Sequence, residues 1–333
     1  GVCRFGAAFS FQGHPNVEVA AVSDLFPDRC AALAKACRCE TTYPSLEELV
    51  ADDSLEAVFV ATDAPSHAQH CIEVLRHGKH VACAVPAVYG SLEDADRLFE
   101  TVQSSGLKYM MFETSCYRPD CYAMRKIYEA GGFGRLIYSE GEYYHYHSHQ
   151  IGSYKDWRVG LIPLWYPTHS TAYYVGVTGQ PFASVSCSGS NSGLDAWQPG
   201  ANRYGNVFTD QIALFGTADG GASRMLMCMG VQGKVSETGR VFGERGWMDG
   251  VEYRGAMTEL PDLRRPPLPP GVKPGGHGGS HGPLMNEFVL AILEDRQPQV
   301  DIAQSLNMTV CGIVADQSAR KDGERLQVPQ YRM

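Results

Sequence analysis

The chain has 333 residues, more than the ~100–200 of one typical domain, so two domains are expected. With 44% apolar and 20% charged residues the composition is globular, and no apolar run approaches the ~20 residues that span a bilayer. The net charge of −9 argues against nucleic-acid binding, and eleven scattered cysteines fit reduced thiols in a cytoplasm better than a disulfide framework.

Residues 1–115 alternate short β-like runs with helical stretches, the pattern of a parallel sheet with crossover helices. Arg4 to Gln12 reads as a helix that stops at Gly13-His14-Pro15, and Val17 to Val22 as a strand ending at Ser23-Asp24. Helical Asp28–Cys37 and Leu46–Val50 follow, then a buried strand from Ala57 to Thr62. A helix from Ser66 to Arg76 stops at Gly78, and strand His80–Cys83 leads to Pro86. Helix Leu92–Gln103 and strand Tyr109–Phe112 complete the set.

After Arg118 the texture changes. Helix Cys121–Glu129 leads into a strand from Leu136 to about His147, then into β-like runs at 183–189, 211–215, 223–229 and 240–243. Strands without intervening helices predict an open, mainly antiparallel sheet. Residues 261–283 are rich in Pro and Gly and predict a long irregular loop. Helices Pro283–Glu294 and Ala303–Ala319 and a short strand near Leu326–Val328 close the chain. The expected architecture is an N-terminal Rossmann domain over residues 1–120 and a C-terminal α+β domain over 121–333.

Gly1-Val2-Cys3-Arg4-Phe5-Gly6 has the outline of the dinucleotide turn G-x-G-x-x-G, with Cys3 at the middle glycine. A helix follows, whose N-terminus favours phosphate, and Asp24 ends the next strand where ribose hydroxyls are bound. A carboxylate there repels a 2′-phosphate, which selects NAD. Such a fold also needs a strand ahead of the turn, so further residues are expected upstream of Gly1. No leader-like segment is seen. Cys37 and Cys39 are too close together to read as a zinc site, and no metal is expected.

Ala61-Thr62-Asp63-Ala64-Pro65-Ser66-His67 and Gly78-Lys79-His80-Val81-Ala82-Cys83-Ala84-Val85-Pro86 are similar to A-T-P-x-x-x-H and G-K-H-V-x-x-E-K-P. In these motifs the chain resembles the Gfo/Idh/MocA oxidoreductases. The resemblance implies that Thr62, His67, Val85 and Pro86 join Gly1, Cys3, Arg4, Phe5, Gly6 and Asp24 around NAD. It implies a dimer or tetramer built through the open sheet. Two departures stand out: Val85 replaces the catalytic lysine of E-K-P, and Trp165 replaces the aspartate of D-x-x-x-H, while His169 remains. A subgroup, the NAD-dependent glycoside hydrolases of the α-N-acetylgalactosaminidase type, is closer at these places. Its E-V-P-A, M-L-E-N-x-x-Y, E-G-A-Y-x-H, Y-P-T-H and G-H-G-G resemble Ala84–Ala87, Met111–Tyr117, Glu140–His145, Tyr166–His169 and Gly276–Gly279. That subgroup continues M-D where this chain has Ser280-His281.

Hydride transfer from a sugar carbon needs a base for the hydroxyl proton, and a group titrating near neutrality suits it. His169 is the first candidate and Tyr166 can share the task. By alternation Tyr143, His145, His147 and His149 share one strand face, with Glu140 and Glu142 on the other. Those histidines can line a sugar pocket, stand solvated on a sheet edge, or hold a metal; the pocket is favoured, with Tyr143 a catalytic candidate and His145 a substrate contact. Lys155, Trp157 and Arg158 form a polar–aromatic cluster suited to sugars, and His277 can swing over a ligand from its glycine-rich loop. Tyr173 and Tyr174 read as core. The leading reading is an NAD-dependent oxidoreductase acting on a hydroxyl of a sugar or sugar derivative. One alternative is a glycoside hydrolase using transient C3 oxidation, elimination and re-reduction; another is a catalytically silent ligand-binding protein.

Overall fold

Five short strands, β1 (Ala21–Ser23), β2 (Thr41–Tyr43), β3 (Ala57–Val60), β4 (His80–Cys83) and β5 (Tyr109–Met111), make the N-terminal part of the fold. In this computed structural model, which describes residues 5–146 and 152–333, β1 pairs with β2, and β3–β4–β5 form a second piece; every pair is parallel. Helices α1 (Phe5–Ala8), α2 (Pro27–Cys37), α3 (Leu46–Val50), α4 (His67–Arg76) and α5 (Leu92–Ser105) lie between or flank the strands. Parallel pairing sends β3, β4 and β5 the same way, so the segments holding Thr62, Val85-Pro86 and Glu113 leave from one carboxyl edge, while Asp24 follows the carboxyl end of β1 in its own two-stranded piece. In open α/β sheets that edge is where ligands bind.

The expected helix from Arg4 to Gln12 is broken. Ser10 takes a left-handed φ of 54°, which ends α1 and leaves a single 3-10 turn at Phe11–Gly13. The expected strand from Val17 shrinks to β1, because β2 offers only three residues to pair with it. Gly1, Cys3, Arg4, His147 and His149 lie outside the described residues.

From α6 (Pro119–Glu129) the chain enters an eight-stranded open sheet. Its strands are β6 (Leu136–His145), β7 (Phe182–Ser190), β8 (Asp210–Thr217), β9 (Ala222–Cys228), β10 (Val235–Gly243), β11 (Gly246–Asp249), β12 (Glu252–Gly255) and β13 (Leu326–Gln327). The order is β12-β11-β10-β6-β9-β8-β7-β13, antiparallel throughout except for β6 with β9. The strand expected to reach His147 ends at His145, where its partner β10 begins at Val235.

Helices α7 (Thr168–Thr171), α8 (His281–Leu293) and α9 (Ile302–Ala319) complete the fold; α8 opens two residues before the Pro283 start expected from sequence. Buried along most of its length, α9 packs on β7 and also touches β5 and α5. Met111 N donates to Val300 O at 3.2 Å and Tyr331 Oη to Asp96 at 2.7 Å, so the C-terminal segment folds back on the first sheet.

Two glycines seat the short helix α7. Gly141 on β6 and Gly239 on β10 are directly paired. A Cβ at Gly141 would overlap the Ser170 carbonyl, and one at Gly239 would overlap the Tyr173 ring. The bare backbone thus forms a groove for α7 and the π-type turn Ala172–Gly176 that continues it. Replacement Gly141→Ala should cost about 1–3 kcal/mol through overpacking. Urea unfolding measures it, and an unchanged midpoint would show that the groove is not needed.

Candidate active site

Glu113 follows β5 directly and is completely buried. A carboxylate so placed must find donors. Its Oε1 accepts from Ser115 N at 2.8 Å and from His169 Nδ1 at 2.8 Å. Burial alone would raise the Glu113 pKa, but the His169 cation, its hydrogen bond and the Thr168 hydroxyl outweigh burial and bring it down to about 2. For His169, burial works to lower the pKa, yet the Glu113 charge and hydrogen bond prevail and leave it raised. The pair joins the first sheet to α7.

A second carboxylate stands beside the first. Ser115 Oγ donates a short hydrogen bond to Glu237 on β10 and lies 3.3 Å from His169 Nδ1. Burial raises the Glu237 carboxyl; the His169 charge opposes this and the nearby Glu113 charge adds to it. Arg118 Nε lies 3.6 Å from Glu237. The two carboxylates beside one imidazole are therefore shifted in opposite directions, Glu113 down and Glu237 up. Opposed shifts of this kind mark acid–base sites.

Two aromatic rings flank the imidazole. Tyr143 stacks on His169 with centroids 4.6 Å apart, and Tyr166 lies 5.7 Å away at a tilt of 51°. Tyr143 also stacks on His145 at 5.8 Å, so these two share the face that alternation assigned them. Glu140 and Glu142 occupy the opposite face, bonded to Arg224, with Arg240 also on Glu140. Trp157 stacks on Tyr166 at 6.4 Å, and the Arg158 guanidinium lies over both rings, 4.2 Å from Trp157 and 5.6 Å from Tyr166. Burial pushes the Tyr143 and Tyr166 phenols up, so both remain donors at neutral pH. Tyr173 and Tyr174 are buried, as expected.

Other predicted residues are occupied differently. Lys155 is exposed, its ammonium over Tyr154 and outside the His169 cluster. Asp24 accepts from Phe26 N at 3.0 Å, a strand-end turn bond. Thr62 Oγ1 meets His70 Nδ1 at 2.8 Å. His67 is buried, with Nδ1 2.8 Å from Pro86 O and Nε2 3.3 Å from Thr62 O, and so fastens the loop carrying the cis Val85–Pro86 bond. His277 lies on the Gly-rich loop near Arg118 and bonds His281.

Glu113, Ser115 and Glu237 were not among the site residues expected from sequence. Glu113 had a visible signal, a carboxylate closing an apolar strand. Glu237 had none, because only pairing opposite Tyr143 brings it to the site. Among the described residues, no group of three or more His, Cys, Asp or Glu side chains can hold a metal, and no helix is long and apolar enough to cross a membrane.

Because the Glu113 charge is what raises His169, the imidazole should titrate above the ordinary 6.5. Glu113→Gln should bring it down, as followed by NMR of the ring protons. A His169 titration unmoved by that change would dissolve the pair.

Residues 1–113 match the family model described as oxidoreductase family, NAD-binding Rossmann fold. An α-N-acetylgalactosaminidase of Bacteroides fragilis is 33% identical over 93 residues, 28% of this chain and 22% of the relative. The stretches shared with the first such relatives span 22% to 32% of their length. Among solved structures, an oxidoreductase domain protein from Kribbella flavida superposes with a TM-score of 0.79 at 18% identity, covering 99% of this chain and 98% of that one. Levoglucosan dehydrogenase, in complex with NADH and L-sorbose, superposes with a TM-score of 0.77 at 16% identity, covering 98% and 96%. The chain thus has the two-part fold of these structures, and its residues 1–113 match the model of the Gfo/Idh/MocA oxidoreductase family, with its NAD-binding Rossmann fold.

Proposed function

We propose that the chain is an NAD-dependent oxidoreductase acting on a hydroxyl of a sugar or sugar derivative. The observation that carries the reading is the buried Glu113–His169 pair, enclosed by Tyr143 and Tyr166, beside the carboxyl edge of the NAD-binding sheet. The residues of that edge fit the cofactor: Asp24 follows β1 for the ribose, and the loops after β3 and β4 bring Thr62 and Val85-Pro86 to the same side. When bound, NAD supplies a hydride acceptor. This chain's own residues manage the proton.

Glu113 holds His169 through Nδ1, which fixes the ring and leaves Nε2 as the nitrogen that takes the substrate's hydroxyl proton. Among the described residues nothing bonds that nitrogen. Tyr143 and Tyr166, both kept as phenols, donate to sugar oxygens, and Trp157 with Arg158 adds a stacking and hydrogen-bonding wall. His145 extends the same wall.

A second reading is a glycoside hydrolase that uses the hydride transiently. The specific observation in its favour is the Glu237 carboxyl, a second acid–base group, its pKa raised by burial, beside His169, where elimination needs one more acid–base step than simple oxidation. Released NAD(H) from the denatured protein, and absorbance at 340 nm followed with free sugars and aryl glycosides, separate the two. NADH accumulating with free sugars establishes the dehydrogenase. Aglycone release with retained NAD and no net NADH establishes the hydrolase, and neither signal leaves a silent binder. In either enzyme His169→Ala should lower kcat/KM by about 10²–10⁴-fold.

We further propose a cytoplasmic homo-oligomer that buries the open sheet face. Ile212 and Leu214 on β8 are 46% and 49% exposed on the side away from the core, more apolar surface than a free sheet face favours. Leu214→Glu should convert the assembly to monomers in light scattering; a wild-type monomer would end the proposal.

A further inference from the structure

The glycine-rich loop ahead of α8 carries a chain of hydrogen bonds separate from the Glu113–His169 pair. His281, the first residue of α8, has Nδ1 3.1 Å from the backbone oxygen of Ala8. Its Nε2 is 2.7 Å from His277 Nδ1. A carbonyl oxygen only accepts, so His281 Nδ1 must carry its proton. Burial keeps the His281 ring from protonating further, so its Nε2 is bare and accepts. The 2.7 Å contact then requires His277 Nδ1 to donate, and a neutral His277 is left with a bare Nε2.

We propose that His281 is a positioning residue that locks His277 in the Nδ1–H tautomer, making His277 an obligate acceptor for a substrate hydroxyl at the cleft. This rests on the sugar-hydroxyl reading above and deepens it. A bare nitrogen here accepts from a hydroxyl and disfavours a carbonyl, carboxylate or phosphate, so the lock selects the substrate class at this position.

The surroundings agree. Partial burial of the His277 ring, with the His169 and His281 imidazoles nearby, pulls its pKa down to about 4; Glu113 opposes this and Arg118 adds to it. The ring therefore stays neutral above that pH and its acceptor is lost only below it. Among the described residues no hydrogen bond reaches His277 Nε2. The loop itself is held from below: Arg265 Nη1 donates to the carbonyls of Tyr117 at 2.9 Å, Gly278 at 3.2 Å and Gly279 at 2.7 Å. His277 takes a positive φ of 49°, and the Phe9 ring lies 4.4 Å from that of His281, fixing the far end of the relay. The motif this loop resembles has an aspartate where His281 stands. A carboxylate would also accept from His277 Nδ1 but would raise its pKa, so the neutral histidine is what keeps the acceptor available into acid.

The test is a long-range ¹⁵N–¹H spectrum of the full chain with NAD added, taken at neutral pH. The expected result is His277 with Nδ1 protonated and Nε2 unprotonated. His281→Ala should release the tautomer and lower kcat by about ten-fold with little change in KM. His281→Gln, whose amide oxygen can still accept, should restore both. His281→Asp should keep the tautomer while moving the acid limb of the rate profile up by about a unit or more. A wild-type His277 protonated on Nε2 overturns the proposal whatever the enzyme does, as does a His281→Ala spectrum that keeps the wild-type tautomer. Because the tautomer is read without turnover, a locked ring in a protein that transforms no sugar would support the lock and defeat only the functional reading.

Discussion

A carboxylate removed entirely from water has to be met by a cation and by hydrogen bonds, and Glu113 imposes that requirement on everything around it. His169 meets it from α7, Ser115 N meets it from the turn after β5, and removing either partner would leave a charge worth ~3–5 kcal/mol uncompensated. The pair is thus a tie between the two sheets as well as a chemical group. Its geometry depends in turn on Gly141 and Gly239, whose missing side chains let α7 lie close to β6 and β10. Sequence, packing and acid–base chemistry meet at that groove.

Much of the first sheet was readable because parallel strands are short, apolar and punctuated. Leu46–Val50 and His80–Cys83 were placed to the residue, and α2, α4 and α5 to within one or two. Three strands were missed for a common reason. Thr41–Tyr43, Gly246–Asp249 and Glu252–Gly255 are only three or four residues long and carry little apolar alternation, so only their neighbours define them. The π-type turn at Ala172–Gly176 also has no local signature.

The site was legible in part. His169, Tyr166, Tyr143 and His145 could be grouped because a four-residue motif and a two-residue period put each pair together before any tertiary contact is known. Glu113 and His169 are 56 residues apart, and Ser115 and Glu237 are 122 apart. No spacing rule reaches that far. The polarity of the partnership, one carboxyl shifted down and the other up, arises from burial and mutual charge, which exist only in the folded chain.

The two departures from the family pattern become intelligible as a pair. Val85 is buried where the pattern has a lysine, and Trp165 packs against Gly90, Tyr89 and Tyr204 where it has an aspartate. At both positions apolar packing stands where the pattern has a charged side chain. Glu113 after β5, His169 on α7 and Glu237 on β10 lie together, away from the Val85 loop. Tyr89 packs edge-on against Trp157, Trp165 and Tyr204 to form an aromatic wall. A sugar offers the matching chemistry, with apolar C–H faces for such a wall and hydroxyls for the imidazoles.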